Sequence, residues 1–217
     1  MSGLTALVIG ATGATGTELV KQLIDDNQYT SVVVFSRRPL LLLHPTLTTH
    51  IVDFDKPQAW AHLVQGDVLF SALATTLKQA GSQKEQYKID YTYQYQTAAI
   101  AAANGVANYV LVSAMGANAK SWLFYPRIKG ELDNAVAVLP FKQIHIFRPG
   151  FLLRQPDKIR PMEKLGIAIF DAFNKLGLFK SQKALPVEVL AQKMISVFFT
   201  PAASQFQVYS LDSIFDL

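Results

Sequence analysis

The first regular stretch of the chain reads Leu4-Thr5-Ala6-Leu7-Val8-Ile9, turns through Gly10-Ala11-Thr12-Gly13-Ala14-Thr15-Gly16, and continues into Thr17-Glu18-Leu19-Val20-Lys21-Gln22-Leu23-Ile24. The opening run is short and apolar, as a buried strand is, and the closing run repeats apolar residues at helical spacing. Glycines at 10, 13 and 16 each have a physical task between them: a tight turn, a backbone that can touch a diphosphate, and close packing of helix on strand. The helix that follows directs unpaired amides and the positive end of its dipole at the loop. This unit predicts a dinucleotide phosphate site built from Gly10, Thr12, Gly13, Ala14, Thr15 and Gly16. The competing reading is a plain turn, since glycine also ends strands for conformational reasons alone. No Gly-Lys-Ser/Thr follows, which excludes a Walker loop.

Outward from this unit, short β-branched or apolar runs alternate with longer helical patterns. Strands are expected near Leu4–Ile9, Ser31–Ser36, Thr48–Val52, Val68–Ser71, Tyr109–Ser113 and Gln143–Phe147, with helices at about Ala14–Asp26, Gln83–Ala103 and Tyr125–Leu139. That rhythm predicts an α/β fold, a doubly wound parallel sheet of the Rossmann-like type. After Arg148-Pro149-Gly150 the rhythm weakens into helical patterns at Pro161–Leu176 and Pro186–Phe199 and a late strand at Phe206–Ser210. The expectation is one domain over residues 1–217, in which 151–217 form a small lobe capping the sheet's carboxyl edge. Phe151, Leu152, Phe170 and Phe173 would make that lobe either a greasy pocket or a plain core.

Composition narrows the function classes. Half of the 217 residues are apolar and 17% are charged, so the chain can bury a core and is not disordered. The absence of cysteine removes disulfides, thiolate metal sites and cysteine nucleophiles. The net charge of +4 divides evenly between residues 1–150 and 151–217, so no concentrated footprint for nucleic acid or membrane is read. The N-terminus lacks a basic leader, and a cytoplasmic location is expected. His44, His50, His62 and His145 lack ligand spacing, so no metal is expected. No Gly-x-Ser-x-Gly elbow is present, which argues against a serine hydrolase. Tyr87, Tyr91 and Tyr95 recur every four residues and read as a buried or partner-facing helix side, so a homodimer or protein partner remains open.

The end of the second strand decides which dinucleotide is read, because an acid there binds a ribose 2′-hydroxyl and an arginine accepts a 2′-phosphate. Phe35-Ser36-Arg37-Arg38-Pro39 holds no acid, so Ser36, Arg37 and Arg38 predict NADP(H), preferred over NAD(H). A solvated basic turn is the alternative. Val52-Asp53-Phe54-Asp55 closes the third strand, where Asp53 would accept from an adenine amino group or else cap a turn.

Tyr125 and Lys129 stand four apart in a helical pattern and so share a face. They begin the helix after the strand that ends at Ser113, which brings all three to the carboxyl edge. A phenol is a poor base at neutral pH, and a neighbouring ammonium favours its phenolate. In that arrangement Tyr125 gives a proton to a carbonyl oxygen, Ser113 steadies the oxygen, and Lys129 tunes the phenol and holds ribose hydroxyls. A tyrosine packing its ring while the lysine reaches water is the plain alternative.

Gly10-x-x-Gly13-x-x-Gly16, the two arginines, Val52-Asp53-Phe54, Tyr125-x-x-x-Lys129-Gly130-Glu131 and Phe147-Arg148-Pro149-Gly150 together resemble the atypical short-chain dehydrogenase/reductase group. The resemblance is to its NAD(P)H-binding branch, which includes the Tat-interacting-protein-like oxidoreductases, and it spans about residues 4–155. It implies that Ala72, Leu73, Ala74 and Thr75 line the middle of the cofactor, that Phe54 and Asp53 lie at the adenine end, and that Pro149 lies against the nicotinamide. It also implies that Ser113 carries the catalytic hydroxyl, although Ser113 stands 12 residues before Tyr125, one fewer than usual. The function implied is an NADP(H)-dependent oxidoreductase acting on a small carbonyl or alcohol. The branch also includes cofactor-sensing regulators, so a non-catalytic redox sensor is the alternative.

Overall fold

The computed structural model describes residues 3–153, 184–200, 204–210 and 212–217. Strands β1 (Leu4–Ile9), β2 (Tyr29–Ser36), β3 (Leu47–Ile51), β4 (Val68–Ser71), β5 (Asn108–Val112), β6 (Gln143–Arg148) and β9 (Phe206–Ser210) form one sheet in the order β3-β2-β1-β4-β5-β6-β9. Every pairing is parallel. Two short strands, β7 (Leu152–Leu153) and β8 (Leu185–Pro186), pair apart from it and are the described part of a smaller C-terminal lobe.

Parallel strands are covered on both faces, so their residues alternate between two cores rather than between core and water. In β1, Ala6 and Val8 enter one apolar cluster with Leu19, Val20 and Leu23 of α1 (Ala14–Asp25) and Leu190 and Met194 of α6 (Val187–Ser196). Leu7 and Ile9 enter the other, with Tyr93, Ala98 and Ala101 of α4 (Tyr93–Ala103) and Leu132 and Val136 of α5 (Phe124–Ala137). The order reverses at β1: β2 and β3 lie to one side, β4 and β5 to the other. A crevice opens at such a reversal, outside the strands' carboxyl ends.

The sequence reading and the structure differ at three places. The helix expected over Gln83–Ala103 is α3 (Gln83–Tyr87), a π turn at Lys88–Thr92, and then α4. A short helix, α2 (Leu77–Ala80), stands before it, capped by the Thr76 hydroxyl accepting from Gln79 N and ended by Gly81 at φ +83°. The late strand β9 extends the main sheet beside β6, and α6 packs on α1, so these parts of 151–217 complete the sheet and one of its faces rather than cap its edge. The helix expected at Pro161–Leu176, with Phe170 and Phe173, lies outside the described residues. No helix among the described residues is long and apolar enough to cross a membrane.

Beneath β9, the His145 ring of β6 is buried with Nδ1 3.0 Å from the Tyr209 hydroxyl and Nε2 3.3 Å from Gln143 Oε1. Burial holds its pKa down at about 4, against 6.5 for a free imidazole. The unfolded chain therefore binds a proton in this window that the fold refuses, and His145 removes stability as pH falls from about 6.5 towards 4. Urea unfolding should show wild type losing about 3 kcal/mol more than His145→Gln between pH 7 and pH 4. Parallel pH profiles of the two chains would refute this assignment.

Candidate functional site

At the crevice a cavity of about 610 Å³ opens, within the ~300–1,000 Å³ usual for small-molecule sites. Its floor is the loop between β1 and α1. Gly10 has φ +83°, and a Cβ there would sit 2.3 Å from the Ala72 carbonyl carbon, so the β1 and β4 loops meet at a distance only glycine allows. Gly13 N donates to Gly10 O at 2.9 Å and closes the turn. Gly13 is the N-cap of α1, with no side-chain cap and no acid in the first turn. The first amides of α1 are therefore left for an external anion.

The cavity draws together most of the expected cofactor residues. Gly10, Thr12, Gly13 and Ala14 line it from the glycine loop, Ser36, Arg37 and Arg38 from the end of β2, Phe54 from beyond β3, and Ala72, Leu73, Ala74 and Thr75 from the loop after β4. Thr15 and Gly16 lie behind this lining, in the first turn of α1. Asp53 is also outside it: its Oδ1 accepts from Asp55 N at 2.9 Å, so it shapes the turn. Its neighbour Asp55 accepts from Lys88 Nζ at 2.7 Å and the Tyr93 hydroxyl at 2.9 Å. Those bonds, helped by the charges of Lys88 and Arg37, hold the Asp55 carboxyl below the usual carboxylate range.

Lining residues missed by the sequence reading are Phe35, Gln79, Ala80, Glu85 and Ile89. All but Phe35 come from α2, α3 and the π turn. The cues were Thr76-x-x-Gln79, Gly81 and Ser82-x-x-Glu85, a helix start, a stop and a second start in ten residues.

The expected catalytic residues sit further along the same edge, outside the cavity lining. Ser113 follows β5 directly, and its N donates to Phe147 O at 2.7 Å; two residues on, Met115 N donates to Pro149 O at 3.0 Å. Ser113 and Pro149 are thus tied to adjacent strand ends. Helix α5 is pressed on the loop after β5, because a Cβ on Gly130 would lie 2.2 Å from Ala119 N. Tyr125, in the first turn of α5, is 39% exposed. Lys129, one turn later, is 1% exposed, and its Nζ stands 3.5 Å from Asp90 Oδ1.

Asp90, fully buried on the π turn, is the residue that sequence reasoning overlooked. Its Oδ2 accepts from Thr75 N at 3.4 Å, and its carbonyl accepts from Gln94 Nε2 at 2.7 Å, while Gln94 Oε1 accepts from the Ser71 hydroxyl at 2.7 Å. One side chain therefore joins Lys129 to the loop lining the cavity. Burial pushes the Asp90 carboxyl above the usual range, against the pull of the Lys129 ammonium. A second pair lies beside it: Arg148 Nε donates to Asp133 Oδ2 at 2.9 Å, and burial raises Asp133 against the Ser113 hydroxyl and Arg148. Asp90 was detectable as the last charge before residues 91–119, which have none.

These residues fit a nicotinamide dinucleotide. The cradle at Gly10 is one a Cβ would fill, the α1 amides face the cavity, and the buried Lys129 ammonium, whose ion pair among the described residues is the long one to Asp90, keeps donors for hydroxyl groups.

Comparison with known proteins agrees. The family model described as NAD(P)H-binding matches residues 10–137. Protein HTATIP2 of Rattus norvegicus is 30% identical over 221 residues, covering 100% of this chain and 90% of that protein. Mitochondrial protein FMP52 of Candida glabrata is 40% identical over 156 residues, covering 70% of this chain and 66% of its own. Among solved structures, the Bordetella bronchiseptica enzyme WbmH in complex with NAD+ shares the fold at TM-score 0.72 and 15% identity, covering 95% of this chain and 74% of that one. MoeE5 in complex with UDP-glucuronic acid and NAD does so at TM-score 0.70 and 14% identity, covering 95% and 76%.

Two expectations are corrected here. The preference for NADP(H) fails, since these similar structures hold NAD. Physically, Arg37 and Arg38 are both exposed, and Arg37 spends part of its charge on Asp55; a guanidinium in water donates to a ribose hydroxyl as well as to a phosphate. The cytoplasmic location fails because the FMP52 relatives are mitochondrial. The lack of cysteine does not separate one reducing compartment from another.

Breaking the Asp90–Lys129 pair from one side should cost more than removing it. Asp90→Leu is expected to lose ~3–5 kcal/mol in urea unfolding at pH 7, and Asp90→Leu with Lys129→Met to recover most of it. A double variant as unstable as the single one would show that the stranded ammonium is not the cause. The glycine cradle, the parallel sheet with its reversal at β1, and the match over residues 10–137 lead to one placement: the chain belongs to the NAD(P)H-binding family with a Rossmann fold, and is related to HTATIP2 and FMP52.

Proposed function

We propose that the protein moves hydride between a nicotinamide dinucleotide and a small carbonyl compound or alcohol. The observation that supports this reading is one shared edge: the cavity with its amide cradle, Ser113 after β5 and Pro149 after β6 lie at the carboxyl ends of the strands, and Asp90 links Lys129 of α5 to the loop that lines the cavity. The α1 amides, with Gly10, Thr12, Gly13, Ala14, Thr15 and Gly16 shaping the loop, hold the diphosphate. Ser36, Arg37 and Arg38 meet the adenosine ribose, and Phe54 closes the adenine end, with Asp53 shaping the turn beside it. Ala72 to Thr75 flank the middle of the cofactor, and Pro149 backs its ring. A bound nicotinamide supplies or accepts the hydride. The Tyr125 hydroxyl gives the carbonyl oxygen its proton, the Ser113 hydroxyl donates to the same oxygen, and Lys129 Nζ holds ribose hydroxyls near the phenol. In one domain the substrate side begins where β7 and β8 pair, with Phe151 exposed at its start.

Calorimetry with NADH and NADPH, followed by NAD(P)H oxidation with a panel of aldehydes and ketones, tests this. Wild type should bind and turn over, and Tyr125→Phe should bind within about twofold while losing a factor of ~10²–10⁴ in kcat. Binding with no turnover on any panel member would instead make the protein a cofactor sensor. Absence of binding to either nucleotide would sink both readings.

A further inference from the structure

Ser36, Arg37 and Arg38 line one end of the cavity, and no acid stands at the end of β2 to accept from a ribose hydroxyl. An acid does line the cavity from elsewhere: Glu85 of α3 is the one carboxylate among its described lining residues. A carboxylate is out of place in a cleft built for a diphosphate, because it repels the anion that the glycine loop attracts. Its position follows from its own helix. Lys88, three residues on, pairs with Asp55 Oδ1 at 2.6 Å, and Asp55 in turn feels the charge of Arg37. Ile89, four residues on, lines the cavity and packs in the cluster of Phe35 and Phe54. Residues three and four apart share a helix face, so Glu85 stands on the face turned to Phe54 and Arg37, one turn nearer solvent than Ile89. Its main-chain N donates to Ser82 Oγ at 3.1 Å and starts α3. No ion pair among the described residues engages its carboxylate, which leaves the side chain to the cavity.

We infer that Glu85 is the specificity-determining residue of the adenosine end: its carboxylate accepts from a ribose hydroxyl, the task an acid at the end of β2 would perform, and opposes the charge of a 2′-phosphate. The inference rests on the cavity holding a nicotinamide dinucleotide, as proposed above, and it makes NAD(H) the better ligand despite two neighbouring arginines. A guanidinium donates to either ribose, so Arg37 and Arg38 do not by themselves discriminate. An ionised carboxylate only accepts, so it welcomes a hydroxyl and turns away a phosphate. An acid that merely offset the dipole of α3 would treat the two nucleotides alike.

Calorimetry of wild type and Glu85→Gln with NADH and NADPH, and with AMP and 2′,5′-ADP as probes of the adenosine end alone, tests the inference. Wild type should prefer NADH. In Glu85→Gln the Kd for NADH should rise about threefold while that for NADPH falls about threefold, which moves their ratio about tenfold. The ratio for AMP and 2′,5′-ADP should move with it. The melting temperature should not change, because the side chain is exposed and Glu85 N keeps its bond to Ser82. Wild type that prefers NADPH, or a ratio that moves less than about twofold, overturns the inference and leaves the dinucleotide site standing. So does a change confined to the full dinucleotides, which would put Glu85 at the nicotinamide end. Wild type that binds neither dinucleotide sinks the reading on which the inference rests, and the inference with it.

Discussion

Everything at the carboxyl edge depends on how closely two backbones approach where the strand order reverses. Ala72 N donates to Ile9 O at 3.0 Å, and Gly10 then turns with φ +83° directly against the carbonyl of Ala72. Any side chain at position 10 would push β1 and β4 apart at the point where the cradle must be narrow. It would also demand a backbone conformation that costs an L-residue energy. The lack of a Cβ therefore fixes both the sheet's geometry and the direction of the α1 amides.

A polar network carries that constraint away from the glycine loop. The loop after β4 is held by Asp90 and by Gln86, whose Nε2 donates to Thr75 O at 3.4 Å, and Asp90 in turn faces Lys129. Burying a carboxylate against an ammonium is costly, and apolar replacements of the same size are often no less stable. The raised carboxyls of Asp90 and Asp133 record that cost. Two such pairs, both contributed by α5 and its neighbours, are expensive as packing but effective as positioning, since each charge is left one good place to be. Their location between the cavity loop and Ser113 accounts for the expense.

The parts of the fold that were legible follow from period and punctuation. β1, β4 and β9 lie where alternation and apolar runs place them, β2 and β6 are longer than expected by two residues and by one, and β3 and β5 each lie one residue nearer the N-terminus. The glycine loop was readable because its chemistry is local. Three things were not. Cofactor preference was misread from Arg37 and Arg38 because residue type does not reveal exposure or a competing partner such as Asp55. Location was misread because absent signals constrain little. Asp90 was missed because its partners are 15 residues back and 39 residues on, distances only the fold closes.

The π turn was, however, written in the sequence. At 3.6 residues per turn, side chains four apart drift by about 40° each step on an α-helix, so a strict four-residue repeat cannot stay in line for long. Tyr87, Tyr91 and Tyr95 nevertheless stack in succession, at 4.9 and 5.9 Å between ring centres. Gln86, Asp90 and Gln94, one residue earlier in each case, are all buried. Two parallel repeats of four call for a locally wider helix, and the i→i+5 bonding of a π turn supplies one. The tyrosine pattern that reads as a helix face is therefore also the mark of the widening at Lys88–Thr92 on which Asp90 sits, between Lys129 and the cavity loop.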